Sequence, residues 1–424
     1  MIGKSGLLLL VVLLLTALSY GCSKETAEQK VDSVPDIEPV TLTVAMIQNF
    51  TEEFQELVVK PTKKRYPHIT LQQTIMTAQN YLDKLIAAGT VPDIVVLPSY
   101  DIIQLVNLQL DFNMEPLMKE HQMNIGRFVP EGLEAIKVLT QKENLVALPY
   151  NIGYGGMYYN KDIFDRFGVS YPRDGMTWEE IRELAKKVTR NEGGIQYRGF
   201  EPGVLSRPAS QLSLPYIEAK TNKAVVNTEP WKQLFEMLKS IYDIPGNNEI
   251  LTGGRAIKAF QKDKTIAMLL ADNQLRMFHD SSDLNWDMVT YPTFKEAPGK
   301  GINMVLKLFA ITAQSQHKEE AFQVISTVLS DEVQLAMVRS GRPSSLADPK
   351  FKQEFAKDLH LDGKNIQAFL KLTPAKSIAP TKQITIAEDL MQEAMAAVVK
   401  DGKDINTALR EAEENINKAI QGNN

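Results

Sequence analysis

The chain has 424 residues, 44% hydrophobic and 23% charged: the composition of a soluble globular protein, with more length than one hydrophobic core holds, so two domains are expected. Its net charge of −5 is small for that size and no long run of Lys and Arg is present, which argues against a nucleic-acid partner. A single cysteine, Cys22, excludes an intramolecular disulfide and a cysteine-based metal cluster.

Lys4 precedes the apolar run GLLLLVVLLLTAL, which is too short for a comfortable membrane span and is followed by small residues, so residues 1–21 read as an export signal. Ser19-Tyr20-Gly21-Cys22 resembles a bacterial lipoprotein signal, although Leu18 lies four residues before the cysteine where such signals usually carry leucine at three. The resemblance implies that Cys22 becomes a lipid-bearing first residue, anchored at the outer face of the cell membrane. Residues 22–39 hold almost no large apolar side chains and are expected to form a flexible tether.

From Val40, strand and helix alternate. TLTVAMI reads as a buried strand, and TEEFQELVVKPTKKRYP as a helix whose later part Pro61 kinks or breaks; Glu52 and Glu53 at its start are accounted for by the helix dipole. HITLQQTIM is a second strand. AQNYLDKLIAAG places Tyr81, Leu82, Leu85 and Ile86 on one helical face with Gly89 as its stop, and PDIVVLP is a third, apolar strand. This βαβαβ order predicts an open α/β sheet, whose ligands bind at the carboxyl ends of its strands: Gln48 and Asn49, Thr77 to Gln79, and Ser99 to Asp101.

LPYNIGYGGMYYNKDIF, Leu148 to Phe164, concentrates one proline, three glycines and four tyrosines. Its GGMYYN is strand-like, so Tyr158 and Tyr159 should alternate across a strand and pack, while the glycines read as room for a backbone passing close to a ligand or a second lobe. Thr177 and Glu180 form a capping box before a helix with Ile181, Leu184, Ala185 and Val188 inward. TEPWKQLFEMLKSIYD aligns Trp231, Leu234, Phe235, Leu238 and Ile241, which makes Trp231 core. KTIAMLLADNQL, NWDMVTYPTF and NMVLKLFAIT read as strands, HKEEAFQVISTVLSDEVQLAMV as helices, and the chain from about Asp348 as mostly helical.

The motifs PDIVVLPS, LVALPYNIGYGGMYYNKDIFDRFGV, TWEEIRELAKKVT, AFQKDKTIAMLL, VTYPTFKEAPG and KEEAFQVISTVLSDEVQLAMVRSGRPSS stand in a telling order from Thr41 to Leu346. In that order the chain resembles the extracellular solute-binding proteins of ATP-binding-cassette importers, the family that includes the maltose-binding and other oligosaccharide-binding proteins. The resemblance implies a type II periplasmic-binding-protein-like α/β fold, with two lobes joined by three crossings and a ligand in the cleft between them. Laid on this chain, one lobe takes 40–149 with 302–342 and the other 150–301 with 346–424, the C-terminal helices packing on either. The crossings fall near Pro149–Ile152, Thr293–Gly301 and Gly341–Ser345, where Pro and Gly redirect the backbone.

For the cleft, the candidates are Gln48, Asn49, Tyr100 and Asp101 from the first lobe, Tyr150, Asn151 and Tyr154 from the crossing, and Asp272, Asn273, Gln274 and Arg342 facing them. Aromatic faces stack on sugar rings while amides, carboxylates and Arg pair with hydroxyls. Ala271-Asp272-Asn273-Gln274 and Leu97 stand where sugar-binding relatives often carry an aromatic; Tyr100, Tyr150, Tyr154 and Phe200 are the compensating candidates, and Arg207 or Arg342 would suit an anionic saccharide. Trp178 and Trp286 fall inside a helix start and a strand, which are packing positions. No nucleophile elbow, zinc-binding His pair or phosphate loop is present, and the five histidines show no ligand spacing, so the expectation is a binding protein with no catalysis, cofactor or metal. The expected partners are a carbohydrate and permease subunits, or alternatively a membrane sensor or a non-sugar solute, with the protein itself a monomer.

Overall fold

The computed structural model describes residues 38–47, 50–77, 79–381 and 383–422, the side chains of Thr51 and Glu52 excepted. The export signal, Cys22, most of the tether, Gln48 and Asn49 lie outside the described residues.

Val40–Ile47 buries Leu42, Val44, Ala45 and Met46 completely because it pairs in parallel on both sides, with Ile69–Met76 and with Ile94–Pro98. Ile94–Pro98, parallel to it on one side, is the central strand of its sheet and is buried at every residue on both faces, hence its unbroken apolar run. Val305–Ile311 returns antiparallel to Ile94–Pro98, and Leu148–Gly153, antiparallel to it in turn, completes a five-stranded sheet. A second five-stranded sheet runs Trp286–Val289, Gly155–Asn160, Ile266–Asp272, Ile195–Glu201, Arg190–Glu192.

Each sheet has its own core. The first gathers residues from Leu42 to Ile152 and from Met304 to Phe351. On the second sheet, one face packs residues from Met157 to Ile302 with the C-terminal helices Ile384–Lys400 and Ile405–Gly422, and the other packs Phe260, Phe278, Trp286 and Phe369. Tyr158 and Tyr159 enter opposite faces, as a period of two dictates. Trp178, Trp231 and Trp286 are all fully buried, and so is Phe200, which is core and not a ligand platform.

The chain changes sheets at Tyr154, between Leu148–Gly153 and Gly155–Asn160, and that side chain packs against both cores it joins. LPYN therefore belongs to the first sheet, since Leu148, Pro149, Asn151 and Ile152 find ladder partners on Val305–Ile311, and the crossing comes later than the proline implied. Leu346 and Phe351 also stay in the first core, so that passage is completed only with Phe355 in the core of the second sheet. Gly155 and Gly156 have a different use from the expected one: a Cβ there would come 2.9 Å from Ile302 Cδ1 and 2.7 Å from Met288 Cε, so they let the second body pack tightly.

Pro61 does not break its helix. It sits at the start of Lys60–Arg65, and the turns ahead of it, Gln55–Val59, widen so that the Lys60 N–H donates to the Gln55 carbonyl, five residues back. That π-type widening accommodates a residue unable to donate within the turn. Among its described residues, the stretch from Glu354 to Gln383, expected to be helical, holds only short 3₁₀ turns and the strand Thr373–Ala375, because Gly363, Pro374 and Pro380 interrupt it.

The capping box is complete: the Glu180 N–H donates to Thr177 Oγ1 at 3.3 Å and the Thr177 N–H to Glu180 Oε2 at 2.8 Å. Thr177→Ala is expected to lower unfolding stability by about 1 kcal/mol, with no change in the denaturant dependence of unfolding monitored by circular dichroism.

Candidate functional site

Two adjoining cavities open between the sheets, of about 630 Å³ and 370 Å³, both in the range of small-molecule sites. They share Tyr100, Arg207 and Val305. The larger one sits where strand ends converge: Ile47 and Pro98 close parallel strands of the first sheet, and Asp272 closes Ile266–Asp272 of the second.

On the first body's side, Glu53 organises the wall. Its carboxylate accepts from Lys307 Nζ at 3.2 Å and pairs with Arg342 Nε at 2.7 Å, tying the helix start, the strand Val305–Ile311 and the Gly341–Ser345 segment together. Burial pulls the Lys307 ammonium below its ordinary range, with Glu53 opposing that shift, and Nζ lies 4.3 Å from the centre of the Phe50 ring. Asn151 also borders this cavity, but its amide donates to the Pro343 carbonyl at 2.6 Å and thereby ties the strand Leu148–Gly153 to the Gly341–Ser345 segment.

The second body supplies the Asp272-Asn273-Gln274 loop. Arg207 forms an ion pair with Asp272; Asn273 Nδ2 donates to the Gly341 carbonyl at 2.7 Å, and its Oδ1 accepts from the Leu275 N–H at 3.0 Å. The Gln274 N–H donates to the Tyr158 hydroxyl at 2.7 Å, so a packing tyrosine sets this loop. Arg207 sits in the short helix Ser206–Gln211, and the turn that leads into it from Ile195–Glu201 is held by Glu201, whose Oε1 accepts from the Gly203 N–H at 3.3 Å. The Glu201 carboxylate accepts from Arg198 Nη2 at 3.1 Å, Tyr242 Oη at 2.9 Å and the Leu251 N–H at 3.0 Å. Burial still pushes Glu201 up to about 7, with Arg198 pulling it back.

Tyr100, 59% exposed, presents its ring where the two cavities meet. Asp101 borders the smaller cavity; burial raises its carboxyl, and hydrogen bonds from Tyr81 and Gln104 oppose that. Thus Tyr100, Asn151, Asp272, Asn273, Gln274 and Arg342 come together around the larger cavity. Tyr150 and Tyr154 border neither: Tyr150 is buried against Phe309, ring centres 4.8 Å apart, and Tyr154 fills the junction between cores. Thr77 closes a local turn with Asn80. Arg207 and Arg342 each already face a carboxylate, which removes much of the case for an anionic ligand built on arginines alone.

Glu53 and Lys307 were not legible as site residues. A helix-start glutamate and a strand lysine are unremarkable until the fold places them 3.2 Å apart. Among the described residues, no group of three or more His, Cys, Asp or Glu is placed to hold a metal ion, and no helix is long and apolar enough to cross a membrane.

The family model described as bacterial extracellular solute-binding protein matches residues 45–361. A protein named as a binding protein in Brucella abortus (strain 2308) is 24% identical over 363 residues, covering 82% of this chain and 85% of its own. Among solved structures, an ABC substrate-binding protein of Listeria monocytogenes in complex with cycloalternan superposes with a TM-score of 0.75 at 17% identity, over 91% of this chain and 100% of its own. The sugar-binding protein MalE of Xanthomonas citri superposes with a TM-score of 0.73 at 16% identity, over 91% and 98%. At those identities the structures establish the shared fold.

Proposed function

Since this chain belongs to the bacterial extracellular solute-binding protein family, we propose that it is the substrate-binding component of an ABC importer, taking an oligosaccharide or sugar derivative in its interlobe cleft. The observation that carries the carbohydrate reading is Tyr100, an exposed aromatic face between two cavities rimmed by amide, carboxylate and guanidinium groups. Such a combination offers a stacking surface for a sugar ring and partners for its hydroxyls. The neighbours solved with cycloalternan or named as sugar-binding support the same reading. Ligand contacts from both bodies would favour a closed arrangement that the permease recognises, a population shift that needs no bond chemistry. The sequence around Cys22 supports a lipid anchor that keeps the protein at the outer face of the membrane.

The test is a thermal-shift screen of the purified protein against sugars, uronides, peptides and polyamines. A carbohydrate is expected to raise the melting temperature; a shift with a peptide or polyamine and none with any carbohydrate would overturn the reading. Against the carbohydrate identified, Tyr100→Ala is expected to weaken binding about tenfold by calorimetry, equivalent to about 1.4 kcal/mol.

A further inference from the structure

Among the described residues, three carboxylates and four cations border the larger cavity. Arg207 pairs with Asp272, and Arg276 and Asp280 stand exposed, where water screens them. In the half-buried wall the charges do not balance: Lys307 and Arg342, with side chains 23% and 14% exposed, share the single carboxylate of Glu53. Its two oxygens lie 3.2 and 3.3 Å from Lys307 Nζ, and Oε1 also faces Arg342 Nε at 2.7 Å. Elsewhere among the described residues the guanidinium donates only from Nη1, to Ser340 Oγ at 2.8 Å, so Nη2 keeps its donors for a further acceptor. Burial and the neighbouring Arg342 charge both pull the Lys307 ammonium down, against the opposing effect of Glu53. An excess positive charge held away from water is unfavourable until an anion reaches it, and ammonium and guanidinium groups grip such an anion through charge-assisted hydrogen bonds. An arginine with a carboxylate of its own gives no reason to expect an anionic ligand; two cations on one carboxylate do.

We propose that Lys307 and Arg342 hold a carboxylate of the ligand, so that the sugar taken by this cavity is a uronic acid or an oligosaccharide containing one. The proposal rests on the carbohydrate reading above and adds a charge to the substrate. The excess in the wall is one positive charge, which a carboxylate matches, whereas a phosphate monoester brings roughly −1.5 to −2 at neutral pH and overshoots it. With the ligand's carboxylate in place, two cations face two anions.

The experiment is titration calorimetry of the purified protein at neutral pH with glucuronate, galacturonate, mannuronate and digalacturonate, each beside its methyl ester, and with glucose 6-phosphate, maltose, cellobiose and mannobiose, repeated on Lys307→Met and Arg342→Gln. One of the acids is expected to bind at least about 100-fold more tightly than its ester, and each variant to weaken that acid at least about tenfold while leaving the ester's affinity unchanged. Ligand-free Lys307→Met should melt at or above the wild-type temperature, because Glu53 then faces Arg342 alone and the repulsion between two cations is gone; a lysine kept only for stability would give the reverse. A neutral saccharide that binds while no acid exceeds its ester, or an acid preference unchanged in both variants, would overturn the carboxylate site and leave the carbohydrate reading standing. Tighter binding of glucose 6-phosphate than of every acid would overturn the carboxylate in favour of a phosphate. Binding of no saccharide, charged or neutral, would overturn both readings.

Discussion

Glu201→Ala is expected to lower unfolding stability by about 3–5 kcal/mol at pH 8, because it leaves the Arg198 guanidinium buried with no counter-charge. Nε and Nη1 of Arg198 already have no partner, so the guanidinium has no other carboxylate to turn to among the described residues. The pair is not a source of net stability in itself. Burial raises Glu201 from 4.5 to about 7 despite Arg198, so the protein environment solvates the carboxylate less well than water does. Between these values the folded protein holds a proton that the unfolded chain has released. The group's contribution is thus fully present below pH 4.5, is lost as pH rises towards about 7, and is level above that. Denaturant titrations from pH 4 to pH 8 should show this slope in the wild type and a flatter profile in Glu201→Gln. An unchanged slope in that variant would rule out Glu201 as its origin. The alanine variant should also weaken ligand binding, since Glu201 accepts the Gly203 N–H in the turn that leads into the helix carrying Arg207.

Glu53→Ala is the second large effect, and it links fold to site directly. The carboxylate is 12% exposed and serves two cations, Lys307 and Arg342, which face each other across it. Removing it leaves two like charges in a partly dry wall, a loss of about 2–4 kcal/mol that is smaller than for a fully buried pair because water reaches part of the group. Lys307→Met in the same chain should recover much of that loss by removing the repulsion. A double-mutant cycle in denaturant is expected to return a coupling of at least about 1 kcal/mol, and additive effects would contradict the shared-carboxylate account.

The strands were legible because their patterns arise locally: Ile94–Pro98 is apolar on both faces, and Tyr158 and Tyr159 alternate across Gly155–Asn160. The Thr177 capping box is equally local, and both of its hydrogen bonds form. The site was legible only in outline. A strand's carboxyl end directs attention to Asp272, Asn273 and Gln274, which do border the larger cavity. Tyr150 and Tyr154 carry the right chemistry at a plausible place, yet tertiary packing uses them as core and junction.

The amino-acid sequence alone determined most strands and helices before Glu354, the family resemblance and the exclusion of an intramolecular disulfide, since periodicity, capping and composition act within a few residues of the chain. Only the tertiary structure decided where the chain changes sheets, which aromatic faces the cleft, and that Glu53, Lys307 and Arg342 form one charged wall. The reason is physical: charge pairing and cavity shape depend on distances between residues remote in sequence, and those distances exist only once two sheets have packed around separate cores.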